Sequence, residues 1–186
     1  LSNTLPFVAN PLLQSKPPYD VLREFEPVML MVNQGSMIAA HPSVPAKNLK
    51  EFIANVRSQP GKLSAGYGSA GSQVSVAMLK QLGKLDVVEV PYKGIPQAIT
   101  DTMGGSLQFT FVDMANALAQ AKGGKLRGLA VTNGKRSSLA PDLPAIAEEL
   151  PGYEIIAWFA LVAPAKLPEA IVQRLMLVDP DGPASL

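Results

Sequence analysis

The sequence has no cysteine, one histidine and one tryptophan among its 186 residues. Without cysteine it can form no disulfide, no thiolate nucleophile and no cysteine-ligated zinc site. The single histidine, His41, is the only candidate base for a histidine-dependent dyad or triad. It stands directly before Pro42 at the end of an apolar run, which favours a loop position over a catalytic one.

Long apolar runs and clustered charge are also missing. Sixteen Lys and Arg residues against fifteen Asp and Glu residues leave a net charge of +1, and they form no basic patch of the kind that binds nucleic acid. No apolar run reaches the roughly 18 residues that cross a bilayer, so we expect no membrane insertion. Hydrophobic content of 47% is that of a globular protein with a core.

The central stretch, residues 87–116, reads as a strand–helix–strand unit. An apolar strand ends in the turn residues Pro91–Gly94, and Gly104-Gly105 stops the helix that follows. A second strand over 107–112 ends in Asp113. The helix is predicted from apolar residues spaced four apart: Ile95, Ile99 and Met103. Ligands in open α/β sheets bind at the carboxyl ends of strands, so this unit predicts part of a binding site.

A second informative stretch, residues 62–82, predicts a strand, a glycine-rich turn and a helix with Val74, Met78 and Leu82 on one face. A helix N-terminus behind small residues favours an anion. A phosphate, a carboxylate and an oxyanion intermediate all remain open. Residues 66–71 match GxGxxG by letter, but no acidic residue follows at the required distance, and the hydrolase motif GxSxG is absent.

Other segments predict structure alone. Residues 28–40 form either two strands with a turn at Asn33–Gly35 or one long kinked strand, and residues 48–56 form a helix with an Asn48/Glu51 capping box.

Asp113 either contacts a ligand or caps the next helix. Trp158 is predicted to pack in the core or at a cleft edge.

The motif PYKG-x-x-x-A-I-T-D-x-x-GG, followed by a strand and F-x-D, resembles the substrate-binding receptors of tripartite tricarboxylate transporters, the TctC or Bug family. The segments KRS…PDLP…AEELPGYE and WFALVAP strengthen the resemblance. It implies an α/β type II periplasmic binding protein fold, in which crossing strands join two lobes. Residues 1–32 and 127–186 would form a partial lobe I, with its opening strand and last helices beyond this sequence, and residues 33–126 lobe II.

The resemblance implies a ligand in the interlobe cleft and no catalysis, metal or cofactor. Gln73 or Val74 stands where the family usually has histidine, so the contacts need not match the family in detail. The candidate ligand-binding residues supply backbone amides, hydroxyls and one carboxylate: Asn3, Thr4, Ser69, Ala70, Gly71, Ser72, Tyr92, Gly94, Asp113 and Thr132.

The implied function is a periplasmic receptor, monomeric when complete, that binds a small organic carboxylate and delivers it to the membrane subunits of a transporter. As a fragment, the chain would fold poorly and bind weakly. Two other functions stay open. One is a small-acid-sensing effector domain of a transcription regulator. The other is an enzyme in which His41 activates Ser69 or Ser72.

Overall fold

The computed structural model describes residues 14–176, Phe7, and the backbone of residues 2 and 3. Strands are β1 (Ser2–Asn3), β2 (Phe25–Ala40), β3 (Ser64–Tyr67), β4 (Val88–Pro91), β5 (Phe109–Asp113), β6 (Arg127–Val131) and β7 (Ile156–Pro164). Helices are α1 (Val21–Glu24), α2 (Leu49–Ser58), α3 (Ala70–Gly83), α4 (Ile95–Met103), α5 (Met114–Lys122) and α6 (Glu169–Met176), with a 3₁₀ turn at Ile146–Glu148.

The chain separates into two compact units. The first comprises Leu1–Asn33 and Ala157–Leu186, and the second comprises Gln34–Ile156. In the first unit the strand order is β1-β7-β2, and β1 pairs with β7 in antiparallel fashion. A small core of Val28, Ala163 and Val172 forms where α6 packs on this sheet.

The second unit carries a mixed sheet in the order β6-β2-β5-β3-β4. Strand β2 is antiparallel to both β5 and β6, whereas β3 is parallel to β4 and β5. The larger core lies between this sheet and helices α2 and α3. There the rings of Phe52 and Phe109 meet edge to face with centroids 5.0 Å apart. The predicted α/β class is confirmed.

Helix α2 forms as its sequence predicts. The Asn48 side chain accepts from the Glu51 backbone N–H at 2.9 Å, and the Glu51 carboxylate accepts from the Lys47 N–H at 2.7 Å. These bonds satisfy amides that the first turn leaves unpaired. The apolar residues at helical spacing are all buried: Leu49, Phe52, Ile53 and Val56.

Helix α3 buries a different face from the apolar one singled out in the sequence. Val74 is 55% exposed and Leu82 is 38% exposed, whereas Val76 and Leu79 are buried. The buried face of the helix also carries three small residues, Ser72, Ser75 and Gly83. Ser75 lies on the buried face, where its carbonyl accepts a 3.0 Å hydrogen bond from the hydroxyl of the fully buried Tyr153.

Two strand expectations are resolved by hydrogen bonding. Residues 28–40 belong to one 16-residue strand, β2, rather than to two strands joined by a turn. Strand β6, which the sequence analysis placed with lobe I from residue 127 onward, pairs with β2 at Met37–Ala40 and lies in the second unit. The compact units separate between residues 156 and 157. Their assignment to receptor lobes stays a prediction.

Candidate functional site

Three predicted segments follow neighbouring strands of the second unit's sheet. Because β3 is parallel to β4 and β5, with Tyr67 opposite Pro91 and Gly66 opposite Thr110, the carboxyl ends of all three strands lie at one edge. The segments after these ends are Ser69–Ser72, Tyr92–Gly94 and Asp113. We call this the carboxyl edge.

Two of these segments are in direct contact. The Cα of Gly68 lies so close to the Gly94–Ile95 peptide that a Cβ at Gly68 would overlap the carbonyl carbon of Gly94. The Tyr92 backbone N–H also donates to the Tyr67 carbonyl at 2.8 Å. The glycine-rich turn before α3 and the turn before α4 therefore form one continuous surface.

Two serines cap helix α3 and use most of their own hydrogen-bonding capacity. The Ser72 hydroxyl accepts from the backbone N–H groups of Gly68 (3.2 Å) and Ser69 (3.1 Å), and it donates to the Ser69 carbonyl at 2.9 Å. The Ser69 hydroxyl accepts from the Ser72 N–H at 3.2 Å. This reciprocal capping box fixes the loop, and Ser72 is only 6% exposed.

The backbone amides of Ala70 and Gly71 are left over. They are the first two residues of α3, which have no partner within a helix, and neither donates to any other residue that the structure describes. Both residues are exposed. The surface beside Gly71 is open, since a Cβ there would meet only the Ser69 hydroxyl oxygen, at 4.0 Å.

A second helix N-terminus opens at the same edge. Gly94 is the N-cap of α4 and provides no side-chain cap, while Pro96 occupies the first turn without an N–H of its own. The amide of Ile95 has no partner among the described residues. Partial positive charge from two helix dipoles is therefore concentrated at the carboxyl edge.

Tyr92 does not offer a free hydroxyl. Its phenol donates a 2.7 Å hydrogen bond to the Oδ2 atom of Asp101 in helix α4. This hydrogen bond, then partial burial, then the Asp101 charge raise the pKa of Tyr92 above its ordinary value. The aromatic ring lies near Gly66, so the side chain holds the β4–α4 turn in place.

Asp113 caps helix α5, as one of its two predicted roles required. Its Oδ1 atom accepts from the Asn116 backbone N–H at 3.1 Å, and its Oδ2 atom accepts from the Asn116 side-chain amide at 2.8 Å. It lies at the carboxyl edge opposite Ser36 of β2. Among the described residues no hydrogen bond joins Asp113 to the Ser69–Ser72 loop.

Thr132 is fully buried, and its hydroxyl is already used inside the fold. The oxygen accepts from the Ser36 backbone N–H at 2.7 Å, and the hydroxyl donates to the Ile155 carbonyl at 2.7 Å. It joins three separate segments of the second unit. The structure therefore gives the Thr132 hydroxyl a structural role, and its predicted ligand contact stays a prediction.

Four further residues were singled out in the sequence: Asn3, Thr4, His41 and Trp158. The structure describes the backbone of Asn3, in β1, but not its side chain, and Thr4 lies outside the described residues. The His41 ring pairs with Ser43, at 2.6 Å between Nδ1 and Oγ, and not with Ser69 or Ser72. Trp158 is half-buried in β7, which accords with packing at a sheet surface.

Two residues at this edge, Gly35 and Asn133, were not predicted from the sequence. Gly35 of β2 is buried against Asn133, and a Cβ at Gly35 would overlap the Asn133 side chain. The Oδ1 atom of Asn133 is buried without a hydrogen-bond partner. The glycine in an otherwise apolar run was the available signal, since glycine within a strand marks close approach by another group.

The described residues contain no group of three or more His, Asp or Glu side chains arranged to hold a metal ion. None of their helices is long and apolar enough to cross a membrane.

The fold places the chain in the class of periplasmic binding proteins. It superposes on the periplasmic binding protein BugD with a TM-score of 0.79 and 30% sequence identity, over 95% of this chain and 62% of BugD. The model of the tripartite tricarboxylate transporter family receptor matches residues 2–178. The chain belongs to that family, and the family resemblance found in the sequence is confirmed.

Similar proteins include BugT of Bordetella pertussis, 29% identical over 88% of this chain and 51% of BugT. Among solved structures, R. palustris Rpa4515 with adipate gives a TM-score of 0.82 at 27% identity, over 95% of this chain and 60% of that one. MatC from Rhodopseudomonas palustris with bound malate gives 0.73 at 28%, over 94% and 58%. The chain spans about half the length of the curated relatives it matches.

Proposed function

We propose that the chain is the ligand-binding part of a periplasmic receptor that captures a small organic carboxylate at the carboxyl edge and delivers it to the membrane subunits of a tripartite tricarboxylate-type transporter. The observation that carries this proposal is the pair of exposed, unpartnered amides of Ala70 and Gly71 at the N-terminus of a 14-residue helix.

The donor arrangement suits a carboxylate better than a neutral ligand. Two amides on consecutive residues can each donate to one carboxylate oxygen, and the dipole of α3 favours the negative charge. The uncapped N-terminus of α4 lies against the same loop through the contact of Gly68 with Gly94. Because the capping serines already hold the loop in one conformation, ligand binding costs little loop conformational entropy.

The ligands bound in two similar structures also support a carboxylate ligand. Rpa4515 is described with adipate and MatC with malate, both small dicarboxylates. Binding without chemistry also fits the site. The serine hydroxyls of the loop bond to each other at 3.0 Å, and the only histidine is engaged with Ser43. Neither serine is placed against a general base.

Replacement of Ala70 by proline tests the proposal directly. Proline removes the amide donor, is favoured at the first helical position, and follows Ser69, whose extended backbone (φ −152°, ψ 161°) tolerates a following proline. Adipate and malate would be titrated into the ¹⁵N-labelled chain, with affinity read from amide chemical shifts. Loss of one charge-assisted hydrogen bond should weaken binding about ten- to hundred-fold.

Ala70→Ser is the matched control, because it alters the same side chain and keeps the amide. It should bind both dicarboxylates like the parent chain, and adipamide, which has the shape of adipate without its charge, should bind neither form. Equal affinity of the parent and Ala70→Pro chains, or shifts that avoid residues 69–72, would contradict the proposed site.

A further inference from the structure

We propose that Val74 of helix α3 determines which carboxylates bind at the carboxyl edge, and that it favours acids with an unsubstituted carbon chain over hydroxy acids. This inference rests on the proposed receptor function and adds to it the class of ligand and the residue that selects it. Val74 is 55% exposed, whereas Val76 and Leu79 on the other face of the helix are buried. The observation that carries the inference is this exposed valine, one helical turn from the proposed donors.

Helical geometry places Val74 beside the two amide donors. Successive residues of a helix are rotated by about 100°, so Val74 lies on the same side of α3 as Ala70, four residues earlier, and Gly71, three residues earlier. Each Cα–Cβ bond in a helix tilts towards the N-terminus, so the Val74 side chain leans over the turn that contains these two residues. An acid held by the two amides would therefore have its carbon chain within reach of the Val74 methyl groups.

The small residues of the first turn leave Val74 uncovered towards the helix N-terminus. Gly71 has no side chain, and a Cβ built there would meet only the Ser69 hydroxyl oxygen, at 4.0 Å. Ala70 contributes a single methyl group, and both residues are exposed. A hydrocarbon chain in this position would remove apolar surface from water, both its own and that of the valine, which is favourable.

The hydroxyl groups around the donors are already hydrogen-bonded within the protein. Those of Ser69 and Ser72 bond to each other and to the backbone of their own loop, and the Tyr92 hydroxyl donates to a carboxylate in helix α4 at 2.7 Å. The side chain of Gln73 lies about 100° round the helix from Val74, so it faces another side. A ligand hydroxyl that faces Val74 would lose its water without gaining a hydrogen bond, which is unfavourable.

These two effects act in the same direction. The apolar contact favours a bare methylene chain, and the lack of a free polar partner disfavours a hydroxyl. Succinate and malate have the same carbon skeleton and differ by one hydroxyl group, so this pair isolates the preference. Adipate has a longer unsubstituted chain and belongs with succinate. We expect succinate and adipate to bind about three- to ten-fold more tightly than malate.

Replacement of Val74 by threonine tests the inference, because the two side chains have the same shape and the exposed position tolerates a hydroxyl. Succinate, adipate and malate would be titrated into the ¹⁵N-labelled parent and Val74→Thr chains, with affinity read from the backbone amides of Ala70 and Gly71. The ratio of succinate affinity to malate affinity should fall about two- to five-fold in Val74→Thr. A mere change in the stability of α3 would weaken all three acids alike and leave this ratio unchanged.

Leu82→Thr is the matched control. Leu82 is 38% exposed on the same helix, but it lies about 12 Å further along the helix axis, beyond the reach of a small acid at the N-terminus. Its replacement should leave the affinity ratio at the parent value. A ratio near one in the parent chain, or equal ratios in the parent and Val74→Thr chains, would overturn the inference and leave the receptor proposal standing. Absence of any shift at Ala70 and Gly71 with all three acids would overturn both.

Discussion

The hydroxyl of Tyr92 lies 2.7 Å from the carboxylate of Asp101 and donates a hydrogen bond to it, which ties the end of β4 to helix α4. The bond requires the protonated phenol, so folding favours that form. A second phenol, that of Tyr153, is fully buried, and burial raises its pKa as well.

These two tyrosines predict a loss of stability at alkaline pH. Each has a higher pKa in the folded chain than in the unfolded chain, where tyrosine titrates near pH 10. Above that pH the unfolded chain releases protons that the folded chain retains, so the free energy of unfolding falls as pH rises. Urea denaturation between about pH 9 and 11 should show the fall, and it should be shallower in Tyr92→Phe and Tyr153→Phe. Parallel curves for all three chains would contradict this prediction.

The glycine-rich loop predicts opposite effects for two glycine-to-alanine changes. Gly68→Ala places a Cβ into the Gly94–Ile95 peptide, which is backbone and cannot move aside, so we expect a loss of more than about 2 kcal/mol. Gly71→Ala meets open space in the first turn of α3 and should be neutral or stabilising by up to about 1 kcal/mol. Midpoints of thermal unfolding measure both, and a Gly68→Ala variant as stable as the parent chain would show that the loops are not in contact.

Replacement of Thr132 by valine measures how much a buried hydroxyl that connects three segments contributes to the stability of the fold. The change keeps the shape of the side chain but leaves the Ser36 N–H without its acceptor and the Ile155 carbonyl without a donor, at a cost of about 1–3 kcal/mol. Thr100→Val is the control, because it removes an exposed hydroxyl that bonds only within its own helix. Equal unfolding free energies for the two variants would be the contrary result.

Substitutions of Asp113 separate its capping role from its charge. Asp113→Asn preserves an acceptor for the Asn116 N–H and should leave stability nearly unchanged. Asp113→Ala removes the cap and should cost about 0.5–2 kcal/mol. Removal of the charge should also strengthen dicarboxylate binding at the carboxyl edge in Asp113→Asn, measured by calorimetry. Weaker binding by this variant would show instead that the carboxylate accepts a hydrogen bond from the ligand.

Local sequence signals predicted the parts of this fold that local interactions determine. The capping box and helical spacing of α2 involve residues within one helix, and both were predicted correctly. The carboxyl edge was also predictable, because the order of strands and turns determines which segments follow strand ends. The turns at Ser69–Ser72 and Tyr92–Gly94 accordingly meet.

The features that the sequence did not predict depend on partners far away in the chain. The structural role of Thr132 is one of them, because the backbone N–H that its hydroxyl oxygen accepts belongs to Ser36, 96 residues earlier. The buried face of α3 is another. Its apolar residues lie on two faces, and the buried face is the one where the Ser75 carbonyl accepts the hydrogen bond of Tyr153, 78 residues away.

Because Gly35 contacts Asn133, the order in which these two positions are substituted during evolution should matter. A side chain at position 35 overlaps the Asn133 amide, whose oxygen is already buried without a partner. A larger residue at position 35 therefore requires the Asn133 side chain to rotate away or to become smaller, so a prior reduction at position 133 removes the overlap. In a laboratory lineage selected for folding, substitutions at Gly35 should arise on backgrounds that already carry Gly or Ala at position 133.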